Sequence, residues 1–419
     1  MPKSRALLYL LVAALLTLFQ PPLLGGNADA HAQGAAAYKA ETTRWSASAT
    51  RFNFWMRAGV MRSPSGALQL DPSKARALTD PFGPGKYLGG NFYNGGNFFI
   101  GEATGPLVKP SFPFSEAVPS WNVDTPAGTW VEVLLRAHTG TNTSTGWTRW
   151  YSMGVWASGQ EVVTRHSVSG QADEDAYVDV DTLKIGTRAS SSTATAYQIK
   201  FRLFSTGRDR TPSLRSAAVA VSATPSTPSS LVPGDPALRG RVLDVSECSQ
   251  MVYPEGGEVW CSPTSVDMVL GYWAGRTGPC EPGVRAAVSG VYDRVYRGHG
   301  NWPFNVAYAS SQGMDSYVTR FTSMTQAEKW IAAGVPVIMS VSWGSNQLTG
   351  APIPASNGHL MVLVGFDSRG DPVVNDPAAP SNTSVQRTYR RAELEKLWLQ
   401  GSGGTAYLIY PPGRAVPKP

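Results

Sequence analysis

Gly256-Gly257-Glu258-Val259-Trp260-Cys261-Ser262-Pro263-Thr264-Ser265-Val266-Asp267-Met268-Val269-Leu270-Gly271-Tyr272-Trp273 places a cysteine where a glycine-rich turn becomes a helix. Val266, Val269, Leu270 and Trp273 recur at helical spacing, so one face is buried. Ser262 reads as the N-cap and Pro263 as the first helical residue, where its missing N–H costs nothing. Cys261 then meets orphan N–H groups and the positive end of the helix dipole, which favour thiolate over thiol. That is a common design for a cysteine nucleophile. A free cysteine is also a common inert core residue, and residues downstream have to decide between the two readings.

From Val242 onward the pattern mixes helices and strands. Helical periods run over Val284 to Tyr296, Thr325 to Ala333 (with Thr325 as cap) and Arg390 to Leu399. Pro336 to Val341 and Thr405 to Tyr410 read as buried strands. Asn357-Gly358-His359-Leu360-Met361-Val362-Leu363-Val364-Gly365-Phe366 is a strand that opens on a histidine, and Pro372 to Asn375 is a short strand ending in Asn375-Asp376-Pro377. A cysteine nucleophile needs a base within hydrogen-bond reach and a third group to hold the imidazole tautomer. Two antiparallel strands joined by a short connection can bring His359 and Asp376 together. Alternation lets only one of Asn375 and Asp376 face the imidazole, so either amide or carboxylate is open as the orienting group.

Taken in order, Val259-Trp260-Cys261-Ser262-Pro263-Thr264-Ser265, the strand around His359, and Val374-Asn375-Asp376-Pro377 make residues 241–412 resemble the papain-like cysteine peptidases of the bacteriocin-processing, double-glycine type. The resemblance implies a papain-like α+β domain with Cys261 as nucleophile, His359 as general base and acid, Asp376 as orienting acid and Gln250 in the oxyanion hole. It implies no metal and no cofactor, and a peptide or peptidoglycan-type substrate. Gln250 stands further from the cysteine than in the tight papain arrangement, with Pro254-Glu255-Gly256-Gly257 to absorb the difference. Archetypal members are amino-terminal, cytoplasmic and fused to exporters, and many have Gly-Pro after the cysteine where this chain has Ser262-Pro263. Leader-peptide cleavage is therefore not implied. His299 reads as a solvated backup base, and Glu258 as a solvated acid. An acyltransferase using the same acyl-enzyme, or a surface-binding protein with an inactive peptidase-like domain, are the alternatives.

The preceding chain reads differently. Residues 1–32 have a basic start at Lys3 and Arg5, an apolar run from Ala6 to Leu18 and small-residue sites near Ala30, the pattern of a secretory signal. The run is too short to span a bilayer, and no later segment is apolar enough, so a secreted or extracytoplasmic protein with no membrane span is expected. Residues 42–222 alternate apolar and polar side chains, as in Tyr197-Gln198-Ile199-Lys200-Phe201-Arg202-Leu203-Phe204, with turn residues at short intervals. This predicts an antiparallel β-sandwich of jelly-roll type. Trp45, Trp55, Trp121, Trp130, Trp147, Trp150 and Trp156 serve mostly as its core, or as a stacking surface for carbohydrate or cell wall. Gly89 to Asn97 precedes no helix and reads as a loop or a strand–turn–strand. Residues 223–240, rich in proline and serine, read as an extended linker.

The formal charge of +6 is mild for 419 residues, and no basic run with interleaved aromatics suggests nucleic acid. Three cysteines in an exported chain leave at least one unpaired. Cys248 with Cys280 closes a loop around a free Cys261; the rival is three reduced thiols.

Overall fold

The alternation around Tyr197 builds a strand, Ala196–Ser205, whose Ile199, Phe201 and Leu203 are wholly buried. The polar partners Lys200 and Arg202 lie on the other face, paired to Glu102 at 3.3 and 2.9 Å. This strand is central in a six-stranded antiparallel sheet. A second antiparallel sheet of seven strands is built around Glu116–Asp124 and Ser213–Ser222. Residues of both sheets, among them Trp121, Val133, Phe201 and Val219, share one core. Here the computed structural model describes residues 38–49, 51–80, 94–140, 146–223 and 233–418. The expected leader, residues 224–232 of the linker and residues 89–93 of the glycine-rich stretch lie outside those ranges.

The second sheet does not alternate. Nearly every residue of Glu116–Asp124 and Ser213–Ser222 is buried, as happens when both faces of a sheet are covered. One face points into the shared core. The other presents Ser120, Asn122, Ser216, Ala218, Ala220 and Ser222, small or short polar groups that admit a close neighbour. The neighbour is the strand Asp315–Arg320 of the second half. Asn122 donates to Ser316 O at 2.7 Å and accepts from Ser316 N at 3.1 Å, and Ser120 Oγ accepts from Val318 N at 3.1 Å. Arg320 reaches back to Glu116 at 2.5 Å and to Ser222.

The second half is α+β. Its six-stranded antiparallel sheet runs, edge to edge, Asp315–Arg320, Thr405–Tyr410, Val337–Trp343, Ser356–Phe366, Pro372–Asn375 and Gln386–Thr388. Helices Cys261–Ala274, Glu281–Val291, Trp302–Ser311, Met324–Ala332 and Arg391–Ser402 accompany it. Four differ from expectation at their ends, among them Arg391–Ser402, which starts one residue later and runs three residues past Leu399. The first of these helices begins at Cys261 itself with Trp260 as N-cap, so Ser262 is not the cap and Pro263 is third. Pro263 still sits among the positions whose N–H has no intrahelical partner. Glu281–Val291 stops before Tyr292, and Met324–Ala332 is capped at Ser323, not Thr325.

The helix Trp302–Ser311 was not foreseen. Its local signal is present: Asn301 caps Phe304 N at 3.2 Å and Pro303 lies in the first turn. It shows no amphipathic stripe because it is buried nearly all round. Phe304 packs on Trp121 and Trp156 of the first half, at ring separations of 6.2 and 5.4 Å. A Cβ at Gly154 would press on that ring, so the strand Tyr151–Trp156 carries glycine there. The described end of the linker region is also tied down, with Asp235 N donating to Glu328 at 3.0 Å.

Candidate active site

Helix Cys261–Ala274 is fastened to the sheet along its length. Ser262 Oγ meets Tyr407 OH at 3.0 Å, Ser265 Oγ donates to Leu360 O at 3.1 Å, and Trp273 Nε1 donates to Ile409 O at 2.9 Å. These bonds set Cys261, half-buried and unpaired, beside the start of Ser356–Phe366, where His359 stands. His359 lies close enough to Cys261 for each to shift the other's ionisation. Its Nε2 lies 2.7 Å from Asp376 Oδ1. Trp343 presents its ring edge-on to the imidazole at 5.5 Å.

Asp376 is wholly buried and holds three donors: His359, Ala378 N at 3.0 Å and Tyr389 OH at 2.7 Å. Its neighbour Asn375 points away and donates to Val245 O at 2.9 Å. The pleat thus separates the two side chains, and the carboxylate faces the histidine. Tyr389 had no signal in the sequence. It arrives through the pairing of Gln386–Thr388 with Pro372–Asn375.

The electrostatics follow from this chain of contacts. Burial alone would push the Cys261 thiol up; the hydrogen bond and charge of His359, with the N–H groups of Leu360 and Ser262, outweigh it and hold the thiol below its ordinary value. Burial disfavours a charged His359, but Asp376 and Cys261 raise its pKa to about 10. For Asp376, burial is outweighed by His359, Tyr389 and Ala378, and its pKa is lowered. The sign of each linkage is fixed. Protonated His359 stabilises the fold fully below 6.5, and the effect is lost as pH rises through about 10. Ionised Asp376 contributes above 3.8, lost as pH falls through its lowered value. The ion pair therefore supports the fold most between those ordinary values.

Gln250 is buried in the same place, its N–H bonded to Pro377 O at 2.8 Å, just beyond Asp376. Nε2 gives one hydrogen to Gly257 O at 2.8 Å, which leaves the other for the cleft. The glycine-rich turn wraps Gln250 so closely that a Cβ at Gly257 would collide with its carbonyl. His299 is not solvated. It is half-buried against Trp260 and Tyr292 at 6.2 and 5.1 Å, and burial lowers its pKa. Glu258 is exposed at the rim.

Cys261, His359 and Gln250 open into a cleft of ≈ 980 Å³. Its walls include Tyr296, the C-terminal end of helix Arg391–Ser402 with Gly403 and, from the first half, Asp179 to Thr182. Cys248 and Cys280 are disulfide-bonded and bracket the nucleophile turn, 32 residues apart. A loop of that length implies that replacing both by alanine lowers unfolding free energy by about 3–4 kcal/mol, read by denaturant titration; an unchanged midpoint would show the crosslink to be idle.

Among the seven tryptophans of the first half, Trp45, Trp55, Trp121, Trp130 and Trp156 are core. Trp147 and Trp150 are half-buried and flank Arg136 at 4.3 and 4.7 Å.

Residues 242–406 match the family model described as "Peptidase_C39 like family". The first half, which suggested no family by its residues, matches a model of its own over residues 41–222, "Peptidase C39 N-terminal domain". No curated protein matches the chain. Among solved structures, a putative C39-like peptidase from Bacillus anthracis is 19% identical, with a TM-score of 0.29, covering 40% of this chain and 96% of that one. The module TmCBM61, solved with β-1,4-galactotriose, is 9% identical with a TM-score of 0.18, covering 42% and 90%. Both scores are low, and nothing below rests on them. By the two family matches, one in each half, the chain is similar to C39-type peptidases.

Proposed function

We propose that the chain is an exported cysteine hydrolase that opens an amide or peptide bond through an acyl-enzyme on Cys261. The observation that carries this reading is the hydrogen-bonded run His359–Asp376–Tyr389, with His359 coupled to the Cys261 thiol at the mouth of a helix. On this reading the second half is a papain-like domain and the first a β-sandwich of jelly-roll type. The Cys261 thiolate attacks the carbonyl while His359 is imidazolium. The Cys261 N–H and the free hydrogen of Gln250 Nε2 stabilise the oxyanion, a donor worth roughly 10²–10³ in rate. His359 then protonates the leaving amine, and later takes the proton of the water that releases the acyl group. A disulfide beside the site fits an oxidising compartment outside the cytoplasm. The substrate class is a peptide or peptidoglycan-type amide, with Trp147 and Trp150 as the part of the first half open to cell-wall carbohydrate.

The test is labelling of the secreted protein by a peptidyl acyloxymethyl ketone, with Cys261→Ala as control. We expect one adduct, lost in the control. Added amine appearing in the product of a peptide amide would make the protein a transferase. An unreactive Cys261 in the folded protein would make it an inactive binding domain. His359→Ala sharpens the result: iodoacetamide alkylation of wild type persists to lower pH than that of the variant, because His359 holds the thiol below its ordinary value. The variant keeps the burial that raises the thiol and loses the partner that lowers it, so its alkylation profile moves to higher pH. Parallel profiles would mean that His359 does not hold the thiolate.

A further inference from the structure

The hairpin formed by Ala176–Asp179 and Thr182–Ile185 belongs to the first half, yet its tip lines the cleft that holds Cys261 and His359. The tip is not an ordinary turn. Asp181 N donates to Asp179 O at 2.7 Å, which closes a three-residue turn on Val180. Val180 takes φ of 56°. A β-branched residue in the left-handed region is a genuine outlier, and such strain collects at functional sites.

A latch holds the strained tip in place. The buried Asp181 carboxylate accepts from Trp302 N at 2.7 Å and from Thr182 Oγ1 at 3.1 Å. Trp302 opens the helix Trp302–Ser311, where N–H groups lack partners and negative charge is favoured. The hairpin is thereby tied to the half that carries the nucleophile. Asp179 is further steadied by Lys184 at 3.3 Å.

Tyr296 links the tip to the thiol. Its phenol, raised in pKa chiefly by burial, feels the charges of Asp181, Cys261 and Asp179. Tyr296 is 46% exposed, and Met251 and Val259, exposed by 42% and 59%, share the cleft wall with Val180. Single exposed apolar groups need no explanation. Several lining one cleft around a nucleophile do.

We propose that the hairpin tip Asp179–Thr182 is a substrate subsite, in which Val180 and Tyr296 contact an apolar side chain of an extended peptide whose carbonyl lies at Cys261. Specificity is then shared between Val180 of the first half and Tyr296 of the second, while the chemistry belongs to the second. The proposal rests on the cysteine-hydrolase reading above.

The test compares full-length wild type, Val180→Gly and Asp181→Leu against a panel of tetrapeptidyl acyloxymethyl ketones. The panel carries apolar or polar residues at each position before the warhead. Glycine accepts the positive φ, so Val180→Gly keeps the turn and removes only the side chain. The expected result is a roughly tenfold loss of inactivation rate in both variants for the probes with an apolar residue at one position. Polar probes and iodoacetamide keep their rates. Preference profiles identical to wild type would overturn the subsite alone. A wild type alkylated by iodoacetamide but by none of the ketones would overturn the hydrolase reading together with it.

Discussion

Asp376→Ala lowers the rate of Cys261 inactivation by a peptidyl ketone about 10³–10⁴-fold, while Asn375→Ala leaves it within a few-fold of wild type. The size follows from what the carboxylate holds. Without it, His359 Nε2 has no acceptor, the imidazole is free to take the wrong tautomer, and the cation loses the charge that keeps it protonated. The thiolate then loses the partner that lowers its pKa. Asp376→Asn is no rescue. Two carboxylate oxygens serve three donors, His359, Ala378 N and Tyr389 OH. An amide offers one oxygen and turns its own N–H groups on a donor. Tyr389→Phe removes one of the three and leaves the imidazole held, so its loss stays within about tenfold. Truncation to alanine also strands two buried donors, each at about 1–3 kcal/mol, which thermal unfolding reads separately from rate. If Asn375→Ala were the crippled variant and Asp376→Ala the active one, the orienting role would pass to the amide.

The order of cysteine, histidine and acid was legible because each carries local signs. A helix start follows a glycine turn at Cys261, a strand opens on His359, and a proline closes the strand at Asp376. Which of Asn375 and Asp376 faces the imidazole was not legible, since that depends on how the strand is turned over its neighbour. The helix boundary slipped by two residues because Ser262, a good cap by type, spends its hydroxyl on Tyr407 instead. Helix Trp302–Ser311 escaped for a different reason. Periodicity reveals a helix with one wet face, and this one has none. The same burial hid the relation between the halves. Ser120, Asn122, Ser216 and Ser222 look like the solvent face of a strand, and they are the polar side of an interface. Tyr389 reaches Asp376, and the hairpin tip reaches the cleft, only through tertiary pairing, which no short motif records.

Residues 241–418 produced without the first half do not give a stable, reactive domain. The edge strand Asp315–Arg320 depends on the first half for its outer hydrogen bonds, supplied by Asn122 and Ser120. Left bare, it is an unpaired sheet edge, the usual start of aggregation. The helix Trp302–Ser311 would expose Phe304, now wholly buried against Trp121 and Trp156. Its first turn would also lose the Asp181 carboxylate. The full chain, by contrast, unfolds residues 38–418 in one transition. Phe304→Ala in the full chain measures the same dependence without truncation, at a cost of about 3–5 kcal/mol. Because that helix also carries the Trp302 N–H that latches the cleft wall, ketone reactivity falls along with stability. A soluble 241–418 fragment with the wild-type inactivation rate would show the halves to be independent, and the shared face would then be mere contact.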